Sequence, residues 1–140
     1  MNYKLLASLI VLAAVTAGST RAADLIVNVA GVREHKGMLS LVVYDSAATW
    51  DRDGKTVGSD RKTPDADQVS FRFTDLPAGK VAVMAMHDEN GNGKLDSNFM
   101  GMPTEGYGFS NNPKVMRKAH FDEAVVELGD VPTTITLKLR

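Results

Sequence analysis

VSFRFTDLPAGKVAVMAMHD, residues 69 to 88, is the stretch whose reading decides the fold. Val69, Phe71 and Phe73 alternate with Ser70, Arg72 and Thr74, the period of two that marks a strand with one buried face. Leu76-Pro77-Ala78-Gly79 reads as a tight turn, because proline fixes one φ and glycine accepts an unusual one. The run from Lys80 to Asp88 is apolar on both parities, as a central strand covered on both faces must be.

The same alternation extends outward. Leu25, Val27 and Val29 share one side of a strand, and Leu39, Leu41 and Val43 share a side of the next. FDEAVVELG (121–129) and TTITLKLR (133–140) alternate again, with Ile135, Leu137 and Leu139 facing inward. These strands, with no long helical period, predict an all-β fold: an antiparallel β-sandwich, immunoglobulin-like or prealbumin-like, with a small barrel as the alternative. Val32 to Gly37 is expected to join the first two strands as a hairpin. Two long irregular stretches remain, 46–66 with Trp50 and 88–120. Loops of that length in a small domain are usually functional or disordered. Pro113 to Lys118 leaves room for a short helix or an extra strand.

The first residues have a different character. Lys4 precedes an apolar run from Leu5 to Ala17, and small and polar residues end in Thr20-Arg21-Ala22. This is the order of a secretory signal peptide cleaved after Ala22. A membrane anchor is the competing reading, but a spanning helix needs about 20 apolar residues. The expectation is a signal peptide over 1–22 and one sandwich domain over 23–140, periplasmic or extracellular, with no membrane span once the leader is removed. The chain has 16 basic and 17 acidic residues. Without Lys4 and Arg21 the net charge is about −3, which gives nucleic acid or an anionic membrane no purchase. There is no cysteine, so stability must come from burial or from a metal.

The fold-deciding stretch runs into HDENGNGKLDSNFMGMPTEGYGFSN, residues 87–111. Counting Asp88 as one, Asn90 and Asn92 stand at three and five, Gly93 at six, Lys94 at seven and Asp96 at nine. That is the first three-quarters of an EF-hand calcium loop. Calcium takes six to eight oxygen ligands, and short Asp and Asn side chains at alternating positions turn their oxygens to one centre. Gly93 allows the sharp turn that brings the Lys94 carbonyl to the same point. Position twelve, where an EF-hand has a bidentate Glu, is Phe99, and the flanks read as strand and loop. Glu105 is the nearest later residue able to supply the missing oxygen, whereas Glu89 should point away. The bland alternative is an Asn-Gly-Asn-Gly turn in which side chains bond their own backbone. Magnesium, which keeps more water, fits less well than calcium.

Other constellations are weaker. Five of the seven methionines, Met84, Met86, Met100, Met102 and Met116, surround His87, a set that could hold copper(I) or could simply pack. No catalytic residues can be named. Ser110 lacks an identifiable base or oxyanion element, and His35, His87 and His120 are scattered. Trp50, Tyr107 and Phe109 are loop aromatics that could present a platform for a protein or glycan partner, or cap the open end of the sandwich.

FTDLPAGKVAVMAMHDENGNGKLDSNFMGMPTEGYGFSNN, residues 73–112, resembles the signature of a secreted bacterial family known as domain of unknown function 2141. Its pattern is a Leu-Pro-x-Gly turn, a strand, His-Asp-x-Asn-x-Asn-Gly-x-Leu-Asp, then Gly-x-Pro-x-Glu-Gly-x-Gly-Phe-Ser, and every element is present from Leu76 through Ser110. The turn before a central strand is also similar to prealbumin-like and collagen-adhesin B-type sandwiches. Some of these carry Asp-x-Asn-x-Asp-Gly-x-x-Asp calcium loops that stiffen the module, which Asp88, Asn90, Asn92 and Asp96 match by position. Metal-ligand spacing without a catalytic set favours a secreted, non-catalytic, calcium-stabilised envelope module. The alternatives are an envelope hydrolase using loop carboxylates and a Met/His copper protein.

Overall fold

The computed structural model describes residues 21–140. The leader expected over 1–22 lies outside the described residues except for Arg21 and Ala22. The elements run β1 (Ala22–Ala30), β2 (Met38–Tyr44), α1 (Ala47–Asp51), β3 (Gly58–Lys62), β4 (Gln68–Pro77), β5 (Gly79–Asp88), β6 (Gly106–Phe109), α2 (Phe121–Ala124), β7 (Val125–Leu128) and β8 (Thr133–Lys138). Two sheets result. One has the order β4-β1-β8, and the other has β3-β2-β5-β6 with β7 also paired to β5. Among the described residues no helix is long and apolar enough to cross a membrane.

The sandwich core forms where the alternation places it. Leu25, Val27 and Val29 of β1 and Phe71 of β4 are fully buried from one sheet, as are Leu39, Leu41 and Val43 of β2 and Val81, Val83 and Ala85 of β5 from the other. Each such valine, leucine or phenylalanine side chain contributes about 1.5–3 kcal/mol by leaving water. β5 is central, as its apolar character requires. β2 pairs along one edge from Ala82 to Asp88, while β7 takes Gly79–Ala82 and β6 takes Met84–His87 on the other.

Its second face is also covered. Trp50, Tyr44, Ala82, Phe109, Ala119 and Ala124 form a separate buried cluster on the outer side of the five-stranded sheet. Trp50 is fully buried, and its indole N–H donates to the Ala119 carbonyl at 2.7 Å. Tyr44 meets it edge-on with ring centroids 5.5 Å apart. Helix α1, capped by Ser46, and α2 bring these covers in.

Four local expectations need correction. Residues 32–37 do not make a hairpin, because β1 and β2 belong to different sheets and the segment crosses between them. The Leu76–Gly79 turn likewise carries the chain from one sheet to the other. β8 lies parallel to β1, with Leu25 opposite Thr133 and Val29 opposite Leu137, so the sandwich is not wholly antiparallel. Residues 121–124 form a helical turn before the short β7, and residues 58–62, expected to be irregular, form the edge strand β3.

Candidate functional site

The long loop starts at the end of β5, where Asp88 is buried. Opposite it sits Gly37, just before Met38, which pairs with Asp88. Gly37 has φ +69°, and a Cβ there would stand 2.0 Å from the Asp88 carbonyl oxygen. Only glycine permits both that conformation and that approach.

Beyond Asp88 the loop wraps around its own side chains. Asp88 Oδ1 accepts the N–H groups of Gly91 at 2.8 Å and Asn92 at 3.1 Å, and Oδ2 accepts that of Gly93 at 2.7 Å. Asn90 Oδ1 accepts the Asn92 N–H at 3.1 Å, and Asn92 Oδ1 accepts the Lys94 N–H at 2.9 Å. Gly91 and Gly93 take positive φ, 76° and 79°, so that successive N–H groups turn inward. The amide groups of Asn90 and Asn92 converge on Asp96, at 2.5 Å and 2.9 Å. These two donors, Asn92 foremost, hold the Asp96 carboxyl below its usual range.

Glu105, the last expected site residue, returns to this loop from the start of β6. Oε1 accepts the N–H groups of Glu89 at 2.9 Å and Asn90 at 3.3 Å, and Oε2 accepts that of Asp96 at 3.0 Å. Thr104 N–H to Asp96 carbonyl, 2.8 Å, and a bridge between Ser97 and Pro103 fold the intervening residues back. Glu105 is therefore a buried clamp across both ends of the loop. Asn90, Asp96 and Glu105 line one polar hollow of about 520 Å³, together with Lys36, Glu89 and Thr104. Glu89, expected to point away, lines that hollow while pairing with Arg33 at 2.7 Å. Among the described residues, no three His, Asp or Glu side chains are gathered as metal ligands.

Residues 27–136 match the family model described as an uncharacterized protein conserved in bacteria, DUF2141. The chain belongs to the DUF2141 family. No curated protein and no solved structure matches it. In this DUF2141 chain the match spans both sheets and the whole of the long loop.

The remaining expected residues of this DUF2141 chain separate. Strand alternation puts Met84 and Met86 on the outer face of the sheet and buried His87 on the other, so the Met/His set is not brought together. His87 Nε2 donates to the Lys36 carbonyl at 2.8 Å, and its buried Nδ1 has no hydrogen-bond partner but lies 3.9 Å from Glu89 Oε1. Ser110 is fully buried, accepting the Val83 N–H at 2.8 Å and donating to the Ala124 carbonyl at 2.5 Å. It ties β5 to α2, a role the sequence reading missed and that GFSNN gives no signal for. Of the three aromatics, Trp50 is out of reach of a partner, whereas Phe109 and half-buried Tyr107 line an apolar cavity.

Proposed function

We propose that this protein is a secreted, non-catalytic module of the cell envelope whose loop from Asp88 to Glu105 is stabilised by calcium. The observation that carries the reading is the sharing of one polar hollow by Asn90, Asp96 and Glu105. Asp88 and Asn92 are hydrogen-bonded into the same loop network. Calcium binds through oxygen only. The side-chain oxygens of Asn90 and Asn92, in place of the N–H donors now facing Asp96, and the Lys94 carbonyl would hold it beside the Asp96 carboxylate. Each carboxylate oxygen has two lone pairs, so Asp88 and Glu105 retain acceptor capacity beside the N–H groups they hold.

The leader-like start supports export. The engagement of Ser110 with two backbone groups supports a non-catalytic role, since it leaves that hydroxyl no base. Thermal melting of the purified protein in excess calcium and in chelator tests the proposal. The expected result is a higher melting temperature in calcium. Equal temperatures overturn it.

A further inference from the structure

The outer face of the five-stranded sheet carries a cavity of about 460 Å³. Its floor is two rows set by strand register. Val42, Met84 and Phe109 lie side by side across β2, β5 and β6, and Ser40, Met86 and Tyr107 form the next row. Leu95 and Pro103 of the long loop line it as well, as does Met116 of the segment before α2. This is an apolar recess between a rigid sheet and two loop covers, the usual setting of a small-molecule site.

The polar groups around it restrict what it can hold. Arg117 and Lys118 line the recess, but both are already neutralised. The Arg117 guanidinium donates to both oxygens of Glu123 at 2.8 and 2.9 Å. Lys118 Nζ donates to Asp53 at 2.5 Å and to the Trp50 carbonyl at 2.7 Å. A charged ligand would have to break these pairs. The hydroxyls of Ser40, Tyr44 and Tyr107 make no hydrogen bond to another described residue, and all three residues line the cavity. Burial, then the Asp53 charge, pushes the Tyr44 phenol up, so it stays protonated as a donor. Methionine supplies three of the lining side chains, a surface that adapts its shape.

We propose that this cavity binds a neutral, mainly apolar small molecule that offers an oxygen or nitrogen to the free hydroxyls. The floor belongs to the sheet, and Leu95 of the long loop lines one wall, so the cavity is a separate hollow that shares that loop.

Titration with N-phenyl-1-naphthylamine, a neutral dye that fluoresces in apolar surroundings, tests this in calcium and again in chelator. Saturable, blue-shifted emission at one equivalent is expected in at least one of these buffers. Met86→Trp fills the floor and should weaken binding by about tenfold or more. If that variant lacks a native melting transition, Ser40→Leu narrows the same row from β2 and serves instead. Phe99→Ser, at an exposed apolar loop position, should leave binding unchanged. The anionic dye 1-anilinonaphthalene-8-sulfonate should bind more weakly than the neutral one. The proposal is overturned by no saturable signal in either buffer, by full binding to the filled variant, by loss of binding on Phe99→Ser, or by tighter binding of the anion.

Discussion

A Cβ placed on Gly37 would lie 2.0 Å from the carbonyl oxygen of Asp88. The segment that crosses from one sheet to the other is thereby seated against the first residue of the long loop. Gly37→Ala must relieve both that overlap and a φ of +69°. Gly91→Ala meets only the dihedral, about 1–2 kcal/mol for a left-handed residue, because nothing lies within 4 Å of its Cβ position. Denaturant unfolding should rank Gly37→Ala well below Gly91→Ala in stability. Equal losses would show that the backbone contact carries no weight.

Glu105 offers a second test. Its carboxylate holds three backbone N–H groups from both ends of the loop. Glu105→Ala strands them; a fully buried donor left unsatisfied costs about 1–3 kcal/mol, and these part-buried ones, which water can reach, cost less. Glu105→Gln keeps one acceptor oxygen and should fall between. Hydrogen exchange gives the specific readout. The amides of Glu89, Asn90 and Asp96 should exchange faster in the alanine variant, while those of β1 and β4 change only as global stability does. Uniform acceleration everywhere would sink the clamp.

The fold was legible wherever burial imposed a period. β4 and β5 were readable because Val69, Phe71 and Phe73 alternate and because the residues of β5 are covered on both faces. β3 was not, because GSDRK at a sheet edge carries no apolar side chain to reveal a period. The parallel pairing of β1 with β8 was also hidden, since alternation is the same whichever way a neighbour runs. At the site, the spacing of Asp88, Asn90, Asn92 and Asp96 was visible because ligand-like spacing is local. Glu105 was visible only as a nearby carboxylate. Its three N–H partners depend on the fold-back at Ser97 and Pro103, which no spacing records.

A third expectation concerns acid. Glu123 is bonded first by the Arg117 guanidinium and then by the His120 N–H, and its pKa falls from 4.5 to about 2. A carboxylate depressed in the folded state contributes stability above its unfolded pKa and loses it as pH falls through the folded one. The contribution should therefore be complete above about pH 5 and fade between about 4.5 and 2. Exposure keeps it small. Melting temperature against pH should show a shallower acid limb in Glu123→Gln than in wild type over that window. Superimposable limbs would mean that the Arg117–Glu123 pair does not matter to folding.

The last prediction discriminates a calcium loop from a plain turn. The missing bidentate glutamate at Phe99, and the amide–backbone bonds that Asn90 and Asn92 must give up, set a modest affinity, roughly 10⁻⁴ to 10⁻³ M as in extracellular modules. Calcium at 100 times that constant adds about 2.7 kcal/mol, and each kcal/mol moves the melting temperature by roughly 2–8 °C in a domain of this size class. Asp88→Ala is an ambiguous probe, because Asp88 also holds three backbone N–H groups. Asp96→Asn is cleaner, since the Asp96 carboxylate meets only two asparagine amides. It should abolish the calcium-dependent rise while leaving the melting temperature in chelator near that of wild type. Glu89→Ala, which loses the pairing with Arg33 and the 3.9 Å approach to His87 Nδ1, should keep the rise. A rise that survives Asp96→Asn, or one that vanishes with Glu89→Ala alone, would place any bound cation elsewhere in the hollow.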